Sequence, residues 1–138
     1  MLRRDFISKI IEQMLNAIAR LVKVDYEKET EKFLEDFQVL LKTYFKIEDK
    51  DLDILLEPNE ERDEFLLSEK MKNSQLAMFV QAGLAYILKD EPQKAKHCLA
   101  VIERVQHQHS TIFEFPTPET HSLNDKIEEL RKRLALKQ

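Results

Sequence analysis

The 138-residue sequence is poor in residues that break or bend a chain, with one glycine and four prolines. A chain of this length with average usage carries about sixteen of the two together. The shortage argues against a hairpin-rich β-sandwich or barrel, against glycine phosphate loops and against a disordered linker. A single cysteine excludes an intramolecular disulfide and gives no sign of an oxidising compartment. The longest uninterrupted apolar run, residues 82–88, is seven residues long, far short of the roughly 20 that span a bilayer. The opening residues run straight into alternating polar and apolar positions, so no signal peptide is expected. What remains is 35% charged and 43% hydrophobic residues, the mixture of amphipathic helices with solvated outer faces. The expectation is one soluble, cytoplasmic, all-α domain of about six helices in antiparallel hairpins.

The apolar spacing predicts where those helices lie. A first helix over 3–22 carries Ile7, Ile10, Ile11, Met14, Ala17, Ile18 and Leu21 on one stripe. Asp25 is the expected N-cap of a second helix, whose stripe is Phe33, Leu34, Phe37, Leu40, Leu41, Tyr44 and Phe45. The short connection makes 3–46 a hairpin. A short helix over 49–56 is stopped by Pro58. Residues 60–107 form a second hairpin, one long helix ending at Leu88 and another capped by Asp90 with Pro92 in its first turn. Residues 109–120 are an expected loop, pinned by Phe113 and Phe115. A last helix over 122–137 starts at Ser122, where Ser-Leu-Asn-Asp approximates a capping box.

Charge is unevenly spread. Residues 1–24 carry five bases and two acids, and residues 25–64 carry fifteen acids and six bases. Attraction between a basic first helix and the acidic middle is one expectation, and two separately solvated faces the other.

The hairpin over 79–102 carries a recognisable pattern. Phe79, Ala82, Gly83 and Tyr86 precede Asp90 at the turn, and Ala95, Leu99 and Ile102 follow on the second helix. This resembles a tetratricopeptide unit, although Asp90 stands where Gly is frequent and Pro92 where an aromatic is common. Glycine inside a helix costs roughly 1 kcal/mol against alanine, and its missing Cβ lets the second helix approach closely. A shift of 65 residues pairs Met14, Ala17, Ile18 and Leu21 with the same first-helix positions; three of twenty-four aligned positions, Ala17, Asp25 and Leu34, match in identity. The N-terminus, with Arg4-Asp5-Phe6-Ile7, Ile11-Glu12-Gln13-Met14 and Ala17-Ile18-Ala19-Arg20, also resembles a small bacterial family of uncharacterised helical proteins. That likeness implies a bacterial cytoplasmic protein and brings no site residues.

Signals for chemistry are weak. Asp49, Asp51, Asp53, Glu57 and Glu60 fall at calcium-loop spacing, but Ile54 occupies the place that requires glycine. His97, His107 and His109, with Cys98, offer metal-ligand chemistry at spacings that fit no common zinc motif. Cys98 and His97 are adjacent on a helix, about 100° apart, which is poor geometry for a nucleophile and its base. Arg3-Arg4 and Arg131-Lys132-Arg133 are short basic patches in an acidic chain, so nucleic acid is not an expected partner. No catalytic constellation emerges, and neither an enzyme nor a cofactor is expected. The expected function is a tetratricopeptide-like protein-interaction module, binding a partner or a second copy of itself as a homodimer. Tyr44, Phe79, Tyr86, Phe113 and Phe115 are its candidate surface; a metal-dependent protein using His97, His107 and His109 is the alternative.

Overall fold

The computed structural model describes residues 2–110 and 117–137. Among them there are helices and no strands, so the chain is all-α. The α-helices are α1 (Leu2–Leu21), α2 (Thr30–Leu40), α3 (Glu60–Leu66), α4 (Lys72–Leu88), α5 (Pro92–Gln108) and α6 (Pro118–Leu136). A π-turn, Leu41–Phe45, extends α2, and Asp49–Leu56 forms a 3₁₀ segment kinked at Asp51. No helix is long and apolar enough to cross a membrane among the described residues.

Helix α4 is the centre. Every residue from Met78 to Ile87 is buried, as expected of a helix that is apolar all round. It packs against α1 and α2 on one side and against α5 and α6 on the other. Phe37 of α2 meets Phe79 edge-on, with centroids 5.7 Å apart, and meets Tyr86 at 6.2 Å. Gly83 allows a close approach in this centre. An ideal Cβ there stands 2.8 Å from Leu130 Cδ2 of α6 and 3.4 Å from Cys98 Cβ of α5.

Several boundaries differ from those expected. Asp25 accepts from the backbone N–H groups of Glu27 and Lys28, closing a single turn before α2 starts at Thr30. The helix expected over 60–88 is broken after Leu67, because Ser68 is extended and a 3₁₀ turn, Glu69–Met71, redirects the chain. Gln75 Nε2 donates to the Phe65 carbonyl across this break. Helix α6 starts at Pro118, four residues before Ser122. Thr117 and Thr120 cap each other's backbone N–H groups, and proline fits the first helical position.

Asp90 does not cap α5 but closes α4. Its φ is 58°, its N–H donates to the Ile87 carbonyl, and the Glu91 N–H donates to the Tyr86 carbonyl. This pair of bonds is the Schellman ending, which favours glycine at the left-handed position. Lys46 ends the π-turn with the same handedness, φ 59°. A side chain in this conformation costs about 1–2 kcal/mol, less for Asp. Lys46→Gly therefore stabilises the fold by about 0.5–1 kcal/mol after glycine's greater unfolded-state entropy is counted. Asp90→Gly gains less, since Asp tolerates the conformation and Asp90 Oδ1 also meets Lys137 Nζ at 3.3 Å. Urea denaturation of both variants checks the ranking.

Candidate functional site

Phe79 and Tyr86, expected on an exposed groove, are 0% and 1% exposed. Both belong to the core because the turns of α4 that carry them pack against α2 and α5, so the aromatic stripe that suggested a surface is the packing face itself. The Tyr86 hydroxyl donates to Asp49 Oδ2 at 3.1 Å, and Lys94 Nζ reaches the same oxygen at 3.0 Å. Lys94 also pairs with Glu91 and lies 5.5 Å from the Tyr86 ring centroid. Burial pushes the Tyr86 phenol above its ordinary value, helped by the negative charge of Asp49 and the hydrogen bond to it. The cluster anchors the 3₁₀ segment to the α4–α5 turn.

A second anchor lies further along α5. Arg104 makes a forked contact with Asp63, Nη1 to Oδ1 at 2.8 Å and Nη2 to Oδ2 at 3.0 Å, and Nη1 also donates to the Leu55 carbonyl. The Arg104 hydrogen bonds hold the Asp63 carboxyl below its usual range, against the opposing effect of burial. A depressed folded pKa stabilises above the unfolded value, about 3.9, and that stability is lost as pH falls through the folded value. Asp63→Asn removes about 1 kcal/mol at neutral pH, and the difference from the parent vanishes in strong acid; denaturation curves at pH 7 and pH 2 measure this. Lys89 with Glu31, Lys94 with Asp49 and Arg104 with Asp63 tie the acidic middle of the chain to α4 and α5.

The metal-ligand candidates do not converge. His97 is half-buried, His107 is exposed and His109 is buried. Among the described residues no group of three or more His, Cys, Asp or Glu could hold a metal ion. Cys98 is fully buried, and burial raises its thiol well above the ordinary value. The acids at calcium spacing lie along the 3₁₀ segment and beyond it, with Asp49 committed to Tyr86 and Lys94.

Of the candidate surface residues, Tyr44 is half-buried and forms the shared wall of two hollows, of about 450 and 490 Å³. The first lies between α1, the π-turn and α3, and the second along the seam of α1 and α2. Phe6 and Val39, at their edges, are each 62% exposed. Phe113 and Phe115 lie outside the described residues.

The most developed site is one that the sequence reading missed. A cleft of about 560 Å³ opens between α1, α4 and the first turns of α6, within the size range of sites for small molecules or short peptide stretches. Its apolar walls include Ile18 of α1 and Val22 just past its end, Ala77 and Val80 of α4, and Leu123 of α6. Gln81 of α4 lines it while 8% exposed, and its Oε1 is buried without a hydrogen-bond partner. Asn73, Thr120 and Leu123 are shared with a smaller hollow of about 210 Å³. His109 lines that hollow with Nε2 buried and unpartnered. The signal was available: Gln81 is the one polar amide in the stretch 76–88, which is otherwise apolar. Set against protein-family models, curated proteins and solved structures, the chain matches none of them.

Proposed function

We propose that the protein is a protein-interaction module of tetratricopeptide-like build, which receives a partner protein in the cleft between α1, α4 and α6. The packing order supports this reading. Helix α4 lies against both helices of the hairpin before it, α1 and α2, and α6 lies against both α4 and α5. In such a stack α1, α4 and α6 are the first helices of successive units, and the surface they share is the concave one. The observation that carries the proposal is that the cleft lies between these three helices, with Ile18, Val22, Ala77, Val80 and Leu123 in its walls.

The test uses an affinity-tagged full chain in native cell lysate, with light scattering on the same eluate. Ala77→Phe fills the cleft from a half-buried position on α4. The expected result is a near-stoichiometric foreign protein captured by the parent and by Tyr44→Ala, and lost with Ala77→Phe at unchanged helical content. Capture that survives Ala77→Phe overturns the proposal, as does recovery of only further copies of the chain. A homodimer covering Phe6 and Val39 is the second reading, favoured by the exposure of those two side chains. It is recognised by a dimer mass that Phe6→Glu reduces to a monomer.

A further inference from the structure

We infer that a second copy of the chain covers the seam of α1 with α2 and its π-turn. The two α1 helices pack antiparallel about a two-fold axis at Gln13, and Phe6 of each copy sits in the other's hollow beside Val39. This rests on the second reading, the dimer across Phe6 and Val39, and fixes its contacts. It is independent of the cleft, whose lining shares no residue with this hollow.

The shape of the seam selects a second copy. Phe6 stands at one end, 62% exposed. At the other end lies the hollow of about 490 Å³, walled by Ala17 and Leu21 of α1 and Val24 beyond it, with Val39 62% exposed at its edge. A knob and a hollow displaced along one surface fill each other twice when that surface meets its own image turned by half a turn. A foreign helix must supply both a recess for Phe6 and a knob for the hollow. The second copy already carries both at the required separation.

The residues between them suit that pairing. Phe6, Gln13, Ala17 and Arg20 share one face of α1, at spacings of three, four and seven residues. Bringing Phe6 opposite Arg20 puts Gln13, seven residues from each, on the axis. A residue on a two-fold axis meets its own copy, so a charge there repels. Gln13 is exposed, and its amide carries both donors and an acceptor, which lets it pair with itself. Arg20 lines the hollow without a partner among the described residues, so its guanidinium is placed to lie on the incoming Phe6 ring. The area is adequate as well. Helix α1 has 20 residues, about 30 Å of length, and two adjacent helices present a face about 20 Å wide. Before relief is counted that is about 600 Å², close to the roughly 800 Å² per partner of a stable interface.

Because Phe6 and Val39 are exposed in the monomer, substitutions there test the contact without touching the core. The purified parent is expected at the mass of two chains in light scattering. Phe6→Lys and Val39→Glu each place a charge in both halves of the contact, and each is expected to weaken association roughly a thousandfold, giving monomers of unchanged helical content. Mixed in equal amounts, the two variants are expected to dimerise again. The introduced ammonium of one meets the introduced carboxylate of the other, while the second half of the contact keeps its parental Phe6 and Val39. Gln13→Cys is expected to link two copies by a disulfide under mild oxidation, since helices 8–10 Å apart bring Cα atoms on the axis to about 4–6 Å; Cys98 is buried and does not compete. A photoreactive group at Thr43 couples to a second copy, at twice the chain mass, and to no foreign protein. Variants that stay monomeric on mixing, or a parental dimer that Gln13→Cys fails to link, overturn the inference and leave a dimer of other geometry. A foreign adduct at Thr43 overturns it too. A monomeric parent overturns the inference together with the second reading, while loss of a captured partner with Ala77→Phe still upholds the proposed function.

Discussion

Phe79→Ala lowers the unfolding free energy by about 3–5 kcal/mol, the range for removing a fully buried aromatic. The side chain is 0% exposed and lies across the α2–α4 contact, perpendicular to Phe37 at 5.7 Å. Its loss removes the transfer energy of the ring, leaves a cavity that rigid helices close only in part, and breaks an aromatic pair worth about 0.5–1.5 kcal/mol beyond its area. Against a total stability of about 5–15 kcal/mol for a small domain, this leaves little margin at 37 °C. Phe79→Leu keeps most of the volume and costs less than half as much. Urea denaturation of both variants checks the order. A loss below about 1 kcal/mol for Phe79→Ala returns Phe79 to a surface and contradicts the central position of α4.

Leu130→Ala is the second large effect, about 2–5 kcal/mol, and its value lies in how it couples to Gly83. Leu130 is fully buried, and its Cδ2 is the atom nearest to a Cβ at Gly83. Gly83→Ala alone gains about 1 kcal/mol of helix propensity and spends it on displacing a leucine methyl from 2.8 Å, so it is expected within about 1 kcal/mol of neutral. In the Leu130→Ala background the obstacle is gone. There Gly83→Ala is expected to stabilise by about 1 kcal/mol, with a further gain where the new methyl fills part of the cavity. The change between backgrounds is the coupling energy of a close pair. If Gly83→Ala has the same effect in both backgrounds, α6 does not rest on Gly83. The sequence pattern assigned the glycine to the approach of α5; the tighter contact is with α6, and Cys98 of α5 stands further off at 3.4 Å.

The all-α class and the sequence positions of the main helices were legible because the apolar residues recur at helical spacing, as Met14, Ile18 and Leu21 do in α1 and Phe33, Phe37 and Leu40 do in α2. The ends were read less well, for identifiable reasons. Asp90 has the composition of an N-cap, yet its role depends on φ, which composition does not specify. Asp25 caps a turn that leads nowhere for five residues, and only tertiary packing decides where α2 begins. The break after Leu67 has no glycine or proline to mark it. Stripe reasoning also cannot tell which face of an all-apolar helix meets solvent, and so Phe79 and Tyr86 were placed outside when both are covered. The cleft was invisible for a related reason. It is built where Ala77 and Gln81 fail to fill a space between three helices distant in sequence, and only the isolated Gln81 hinted at it.

The proposed placement of a partner between α1, α4 and α6 is tested most directly by photo-crosslinking from single sites on the two competing faces. Ser122 is exposed at the edge of the cleft, and Thr43 is exposed in the Tyr44 groove. A photoreactive phenylalanine analogue is installed at each in turn, and the tagged chain is irradiated in native lysate. The expected result is a discrete heavier adduct from position 122, absent from position 43 and suppressed by Ala77→Phe. An adduct from position 43 with none from position 122 contradicts the cleft as the binding site and assigns that role to the α1–α2 seam.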